Sequence, residues 1–187
     1  MAKLKPLIFG GAFDPFHNGH LHLIKMAEEK KYNPIYVIPT FKSPVGKKIH
    51  APYRKRLQLC KLGTLGIKNV KVSDFEGKTK KTCYAIDQVK FIKKIHKNQK
   101  ISLLLGDDNL RKIEKWKDYE ELIQICTMVI AERTNSKKEK EGTLLRNKIV
   151  KISSSKIRNK IKLKESIDEM VPKKIKQQIK TNGLYSD

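Results

Sequence analysis

Short apolar runs alternate with amphipathic stretches along the chain, a pattern typical of an α/β fold with a parallel sheet. The first apolar run covers residues 7–9, and apolar residues then recur at helical spacing at Leu21, Leu23, Ile24 and Ala27. Residues 35–38 form the second apolar run. These three segments predict a strand, a helix and a strand joined by a right-handed crossover.

The alternation continues to the end of the chain. Apolar runs predict further strands at 70–72, 101–105, 128–131 and 149–152. The helical spacing of apolar residues predicts a helix that begins after Pro52, a helix over 84–96 and a helix that begins after Pro172. We therefore expect a single doubly wound, Rossmann-like domain over residues 1–187. It would have a mostly parallel sheet of about six strands and a helical C-terminal part over about 153–187.

The charge balance is strongly basic, with 42 Lys and Arg against 19 Asp and Glu, a formal net charge of +23. Such a charge attracts nucleic acids, ATP and other phosphorylated molecules. The lysines are scattered among many Ile and Asn residues, however, so a coding bias toward AT-rich codons explains the charge equally well. The sequence leaves both explanations open.

The cysteines and the N-terminus bear on location. The three cysteines are far apart and have no metal-ligand spacing, which favours a reducing cytoplasm and a protein without its own metal site. The apolar run after Lys3 and Lys5 ends at Gly10, so the sequence predicts neither a signal peptide nor a membrane span.

The segment GGAFDPFHNGH, residues 10–20, lies between the first predicted strand and helix. A helix start presents unpaired N–H groups and the positive end of its dipole, which suits a phosphate. We expect Gly10 and Gly11 to adopt positive φ and Asn18 to cap the helix. His17 and His20, three residues apart, would lie on one side of the first turn and donate to one phosphate.

A second turn of this kind follows the last predicted strand, in ISSSKIRNKI at 152–161. Its serines, Ser153, Ser154 and Ser155, supply a helix cap and hydroxyl donors, and Arg158 lies one turn further on. Together the two turns could hold one triphosphate. The loop at 39–51 follows the second strand and carries three lysines that could reach phosphates, Lys42, Lys47 and Lys48; a solvated loop is the alternative reading of each.

Two further segments have two explanations each. Gly106, Asp107 and Asp108 follow the predicted central strand, where carboxylates accept from ribose hydroxyls or hold magnesium through water; for Asp107 a helix cap is favoured. Trp116 lies among charged residues, so it serves either as core or as an aromatic stacking surface.

Several motifs resemble those of a known enzyme family. The 10–20 segment resembles the HxGH signature of the nucleotidyltransferase α/β superfamily. Over nearly the whole chain, the order of TCYAID at 82–87, LLLGDDNLRKIEKWKDYEEL at 103–122, ISSSKIR at 152–158 and VPKKIKQQIKTNGLY at 171–185 is similar to bacterial nicotinate-nucleotide adenylyltransferases. This resemblance implies transfer of AMP from ATP to nicotinate mononucleotide, giving deamido-NAD and pyrophosphate in NAD biosynthesis, with Mg²⁺ accompanying ATP.

The resemblance also implies site residues. His17, His20 and Arg158 would be catalytic. The implied ATP-binding residues are Gly10, Gly11, Ala12, Phe13, His17, Gly19, His20, Gly106, Ser153, Ser154, Ser155 and Arg158. The implied mononucleotide-binding residues are Tyr84, Ala85, Asp108, Trp116 and Lys117, with Trp116 stacking on the pyridine ring.

The chain departs from the family pattern in three places. Ala12 stands where the family usually has Thr or Ser, and Ala85 stands where it usually has Thr. The usual Pro-Pro-His-Lys run of the loop is replaced here by SPVGKK at 43–48. Main-chain N–H groups would have to replace the missing hydroxyls.

The alternatives are an adenylyltransferase for another phosphorylated acceptor, nicotinamide mononucleotide or phosphopantetheine, and a basic nucleic-acid-binding protein. No recognisable RNA-binding motif supports the second, so we expect no specific nucleic acid and no membrane as partners. The oligomeric state, including a homo-oligomer, is left open by the sequence.

Overall fold

A computed structural model describes residues 4–97, 99–106, 112–132, 143–146 and 152–186. The described strands are β1 (Leu7–Gly11), β2 (Ile35–Pro39), β3 (Val70–Val72), β4 (Ile101–Gly106), β5 (Cys126–Glu132) and β6 (Thr143–Arg146). The described α-helices are α1 (Asn18–Glu29), α2 (Tyr53–Gly63), α3 (Phe75–Thr79), α4 (Ala85–Ile95), α5 (Tyr119–Ile125), α6 (Ser154–Lys162) and α7 (Lys173–Thr181). A 3₁₀ turn, Ile113–Lys115, precedes α5.

The six strands form one sheet in the order β3-β2-β1-β4-β5-β6, and the paired strands run parallel. The order reverses between β1 and β4. In open parallel sheets, ligands bind at the carboxyl ends of the strands beside such a reversal. The sheet therefore places a ligand site where β1 ends at Gly11 and β4 ends at Gly106.

Side chains on successive strand residues point to opposite faces of the sheet, so the apolar runs feed two cores. Leu7 and Phe9 pack on one face with residues of α1, α2, α6 and α7. Ile8 packs on the other face with residues of α4 and α5. The doubly wound α/β fold predicted from the sequence is thus confirmed, with helices on both faces.

Two elements differ from the sequence-based prediction. The sixth strand lies at Thr143–Arg146, earlier than the predicted 149–152, of which residues 149–151 are outside the described part of the chain. No strand was predicted at Thr143–Arg146, because the apolar pair Leu144-Leu145 is too short to show a strand pattern. The short helix α3 was not predicted, since five residues are too few to show helical periodicity.

Within the described residues, none of the helices combines the length and apolar character needed to cross a membrane. The three cysteines are free and buried, and burial raises the pKa of each thiol: Cys60, Cys83 and Cys126.

Candidate active site

The turn between β1 and α1 brings His17 and His20 into contact. Their rings stack with centroids 3.6 Å apart. The main-chain N–H of His17 donates to Nδ1 of His20 at 3.2 Å. A neutral imidazole has one donor and one acceptor nitrogen, so Nδ1 as acceptor leaves the proton on Nε2. This contact fixes His20 as a donor through Nε2.

Three phenylalanines surround His20. The rings of Phe13, Phe16 and Phe9 lie 4.9, 5.4 and 5.8 Å from the His20 ring, centroid to centroid. Phe13 and Phe16 are almost fully buried. Phe13 adopts φ of 48°, a left-handed conformation that is rare for an aromatic residue. Such strain concentrates at functional sites, where the surroundings hold it in place.

The positive φ predicted for Gly10 and Gly11 was wrong: in the described chain the glycines with positive φ are Gly46, Gly66 and Gly183. Gly10 and Gly11 instead end β1, paired with Ile38 and Pro39. Both are needed for space. A β-carbon at residue 10 would lie 2.5 Å from Oε1 of Gln88, and one at residue 11 would lie 3.2 Å from the ring of Phe13.

The helix cap also differs from the prediction. His17, and not Asn18, is the N-cap of α1. Asn18 is held by the segment before α7, because its N–H donates to the carbonyl of Met170 at 2.9 Å and its side-chain amide donates to the carbonyl of Glu169 at 3.0 Å. The N–H of His20 donates to the His17 carbonyl at 2.9 Å, so two of the first three helical N–H groups, those of Asn18 and His20, are already used within the protein.

The second predicted turn starts α6. Ser153 is its N-cap, and its hydroxyl oxygen accepts from the N–H of Lys156 at 3.2 Å. Ser154 donates its hydroxyl to the carbonyl of Pro15 at 3.0 Å. Ser155 accepts from Nη2 of Arg158 at 3.3 Å. In these contacts the hydroxyls of Ser153 and Ser155 act as acceptors, whereas that of Ser154 donates within the protein.

The two turns meet. Arg158 donates through Nη1 to the carbonyl of Asp14 at 2.7 Å, so α6 binds the loop that leads into α1 by a guanidinium as well as by Ser154. A β-carbon at Gly19 would lie 3.8 Å from the carbonyl oxygen of Ile152. These contacts place the two helix starts next to each other.

The predicted mononucleotide residues lie on the other face of the sheet. Tyr84 caps α4 and Ala85 is its first residue. Both pack partly buried against the same apolar cluster as Trp116, and Nζ of Lys117 lies 4.9 Å from the centroid of the Tyr84 ring. The structure therefore brings these four residues together. Asp107 and Asp108 lie outside the described residues.

Sequence reasoning missed three buried charges beside these turns. Asp14 was assigned only to a turn, yet its side chain accepts from His50 and Ala51. Arg56 is 1% exposed and donates to the carbonyls of Ala12 and Ala51 at 2.7 and 3.0 Å. Glu76 is fully buried. The burial of Arg56 could have been predicted, because it shares a face of α2 with the apolar residues three and four positions further on. Nothing in the sequence indicates that Glu76 is buried.

The environments of these groups shift their pKa values. Burial acts to raise the pKa of Asp14, but the N–H groups of His50 and Ala51 outweigh it, and the net shift is downward. Burial raises the pKa of Glu76, against the donors that it accepts from. Burial lowers the pKa of Arg56, and the nearby Asp14 carboxylate opposes that shift.

The three lysines of the loop after β2 lie on the surface: Lys42, Lys47 and Lys48 are exposed. The ring of His50, at the end of the same loop, lies 3.2 Å from the Asp14 carboxylate. In the part of the chain that the structure describes, no group of three or more His, Cys, Asp or Glu side chains is arranged to hold a metal ion.

Comparison with known proteins leads to the same enzyme family as the sequence motifs. Residues 8–160 match the cytidylyltransferase-like family. The probable nicotinate-nucleotide adenylyltransferase of Methylacidiphilum infernorum is 33% identical over 184 residues, covering 95% of this chain and 90% of that protein. The probable nicotinate-nucleotide adenylyltransferase/Ap4A hydrolase of Mycoplasma genitalium is 33% identical over 190 residues, covering 98% of this chain and 53% of that protein. This chain thus spans about half the length of the second relative.

The fold also matches a solved structure. The nicotinic acid mononucleotide adenylyltransferase of Plasmodium falciparum, complexed with NaAD, superposes with a TM-score of 0.80 at 19% identity, and 97% of each chain is covered. At that identity the likeness shows a shared fold.

Proposed function

Since this chain belongs to the cytidylyltransferase-like family and, within it, to the nicotinate-nucleotide adenylyltransferases, we propose that it joins ATP to nicotinate mononucleotide where α1 and α6 begin. The products would be deamido-NAD and pyrophosphate. The family membership favours this enzyme over a nucleic-acid-binding protein.

The observation that carries the location of the reaction is the contact between the two helix starts. Arg158 and Ser154 bind the Asp14 and Pro15 carbonyls, so the donors of both turns adjoin. Two N-terminal helix ends and one guanidinium provide positive potential around a common point. A triphosphate has its charge spread over three linked phosphates, so it fits such a pair of turns better than a single phosphate would.

The reaction is an in-line displacement at phosphorus. A phosphate oxygen of nicotinate mononucleotide attacks the α-phosphorus of ATP, the bond from that phosphorus to the α,β-bridging oxygen breaks, and pyrophosphate leaves with that oxygen. The attacking phosphate is already ionised, so no general base is required. The protein's contribution is to orient the two anions and to neutralise charge in the transition state.

In this proposal, His20 donates a hydrogen bond to an oxygen of the α-phosphate. Its Nδ1 accepts from the main chain of His17, so the neutral ring carries its proton on Nε2, the atom that would donate to the α-phosphate. His17 is stacked on it and supplies the second imidazole. A donor that is already oriented stabilises developing negative charge without reorganising during the step.

In this proposal, Arg158 neutralises the charge of the leaving pyrophosphate. One guanidinium N–H donates to the Asp14 carbonyl and one donates to the Ser155 hydroxyl, and these two bonds orient the guanidinium plane. A guanidinium has five N–H donors, so others remain for phosphate oxygens. Ser153 and Ser155 would add hydroxyl donors at the same helix start. Other residues at the ends of β1 and β4 and in the first turn would line the nucleotide: Gly10, Gly11, Ala12, Phe13, Gly19 and Gly106.

The acceptor would bind at the start of α4. The N–H of Tyr84 donates to the Asp87 carboxylate at 2.8 Å, so its ring rather than its main chain would line the site. Ala85, the first residue of the helix, would offer its main-chain N–H to the carboxylate of a pyridine acid at the positive end of the helix. Trp116 would stack on the pyridine ring, and Lys117, beside the Tyr84 ring, would add positive charge. Asp108 would accept from a ribose hydroxyl.

Mg²⁺ would enter with ATP in this proposal. The ion would be bound by oxygens of the phosphates, because Mg²⁺ usually keeps several waters and binds substrate phosphates. When present it would neutralise phosphate charge. The lysines and Arg158 add to that neutralisation independently.

Pyrophosphate release tests the proposal. The purified protein is given ATP and Mg²⁺ with nicotinate mononucleotide, nicotinamide mononucleotide or phosphopantetheine in parallel. We expect the highest kcat/KM with nicotinate mononucleotide and a product with the mass of deamido-NAD. Release with phosphopantetheine alone, or with none of the three, would contradict it.

A further inference from the structure

The loop between β2 and α2, residues 40–51, leaves the sheet next to the phosphate turn. The N–H of Thr40 donates to the carbonyl of Gly11 at 2.8 Å, so the loop begins beside the end of β1. Its middle forms a turn in which the N–H of Lys47 donates to the Ser43 hydroxyl at 3.0 Å. Its lysines, at 42, 47 and 48, are exposed at the edge of the sheet where the substrates would bind.

The start of this loop is held by the buried carboxylate of Glu76. Its Oε2 accepts from the N–H of Phe41 at 2.7 Å, and its Oε1 accepts from Nε2 of Gln88 at 2.7 Å. Gln88 in turn packs directly against Gly10, where a β-carbon would lie 2.5 Å from its Oε1. One carboxylate thus joins the loop, α4 and the end of β1.

The end of the loop is held by a second buried carboxylate, Asp14. Its Oδ2 accepts from the N–H of His50 at 2.7 Å and lies 3.2 Å from the His50 ring, and its Oδ1 accepts from the N–H of Ala51 at 3.0 Å. Arg56 holds the same point from the other side by donating to the Ala51 carbonyl. Asp14 itself belongs to the phosphate turn, whose carbonyl Arg158 contacts.

Burying a carboxylate is unfavourable unless donors compensate it, and here most donors are main-chain N–H groups of a single loop. The two carboxylates lie 36 and 35 residues in sequence from His50 and Phe41 respectively. Neither is needed to pair the strands. Their shared feature is that each fastens one end of the lysine-bearing loop to an element of the active site.

We infer that Asp14 and Glu76 are positioning residues, which anchor the two ends of the 40–51 loop so that its lysines are held where they neutralise substrate phosphates. This inference rests on the proposed function. Neither buried side chain is placed against substrate. Each would affect substrate binding by holding the loop in position.

The sharpest test exchanges the partners of one hydrogen bond. Glu76→Met removes both acceptor oxygens at a similar side-chain length, so Phe41 and Gln88 both lose their contact. The double variant Glu76→Gln with Gln88→Glu restores both contacts, because the new amide donates to the new carboxylate and still accepts from Phe41. Glu165→Gln, at an exposed carboxylate paired with Lys160, is the matched control.

Two readouts separate positioning from general destabilisation. Amide hydrogen exchange reports on a peptide covering residues 40–52, with the β4 peptide as internal reference. Steady-state kinetics give KM and kcat for each substrate. For Glu76→Met we expect faster exchange in the loop peptide with an unchanged β4 peptide, and a KM for a phosphorylated substrate raised about tenfold at nearly constant kcat. The double variant and Glu165→Gln should match the wild type in both readouts.

Several outcomes would overturn the inference. Wild-type exchange and KM in Glu76→Met would show that the carboxylate anchors nothing, and faster exchange with an unchanged KM would show that the loop position does not affect binding. If the single variant does not fold, the double variant decides: wild-type values support the anchor, and raised values of both exchange and KM contradict it. A wild-type protein that releases no pyrophosphate would instead refute the proposed function, and the exchange data would still report on the anchor.

Discussion

The Nη1 atom of Arg158 lies 2.7 Å from the carbonyl oxygen of Asp14. This hydrogen bond joins two helix starts that are 144 residues apart in the sequence. It brings the imidazoles of α1 and the serines of α6 to one edge of the sheet. The mechanism proposed above depends on this closeness, and so do the predictions that follow.

Arg158 should matter for ATP more than for the acceptor. Arg158→Ala removes a charge beside the proposed leaving group and a bond between the two turns, so we expect the KM for ATP to rise about tenfold or more. Arg158→Lys keeps the charge and loses the paired geometry, and it should give an intermediate value. Lys160→Ala, on the same helix, is the control. An unchanged KM for ATP in Arg158→Ala would rule out its role.

His20 should be required for the chemical step. His20→Ala removes a donor that the main chain of His17 holds in one tautomer, and we expect kcat to fall on the order of 10²-fold. His22→Ala, two residues further along α1, is the matched control and should retain activity. Turnover at the wild-type rate in His20→Ala would refute the proposed donor.

Arg56 should stabilise the fold through its carbonyl contacts. Arg56→Met leaves the Ala12 and Ala51 carbonyls without this donor, and each unpaired buried group costs about 1–3 kcal/mol. We therefore expect the free energy of unfolding to fall by about 2–5 kcal/mol in chemical denaturation. Arg54→Met, at an exposed position of the same helix, should change it by less than about 0.5 kcal/mol. Equal effects of the two variants would show that the buried contacts do not stabilise the fold.

Asp14 should make the folded protein sensitive to acid. Its pKa is held below the ordinary value of 3.8, so the unfolded chain binds a proton at this site more readily than the folded chain. Its stabilisation is therefore complete above pH 3.8 and is lost as the pH falls through the lower pKa of the folded state.

Asp14→Asn should therefore be less stable than the wild type near neutral pH and should lose less stability on acidification. Denaturation curves over a series of pH values below about 6 measure this difference. Asp118→Asn, the same change at an exposed carboxylate, is the control. Parallel curves for the wild type and Asp14→Asn would contradict the account.

Much of the fold could be predicted from the sequence because a buried parallel strand is a continuous apolar run. The runs at Leu7 and Ile101 were found in this way, and so was the place of the two phosphate turns. β6 was missed because its apolar pair is too short to stand out from its polar surroundings. α3 was missed because one and a half turns give no periodicity.

The parts of the site that were not predicted depend on contacts between distant residues. Asp14, Glu76 and Arg56 read as ordinary charged residues in the sequence, and only the fold shows that their partners come from other elements. The positive φ expected at Gly10 was wrong for a related reason. The requirement for glycine there comes from the side chain of Gln88, 78 positions further along the chain.

A crystal structure with the α,β-methylene analogue of ATP, which cannot release pyrophosphate, tests the central claim most directly. We predict that an α-phosphonate oxygen accepts from Nε2 of His20 and that the β- and γ-phosphates lie against Arg158 and the start of α6. A triphosphate bound away from either helix start would contradict the proposed arrangement.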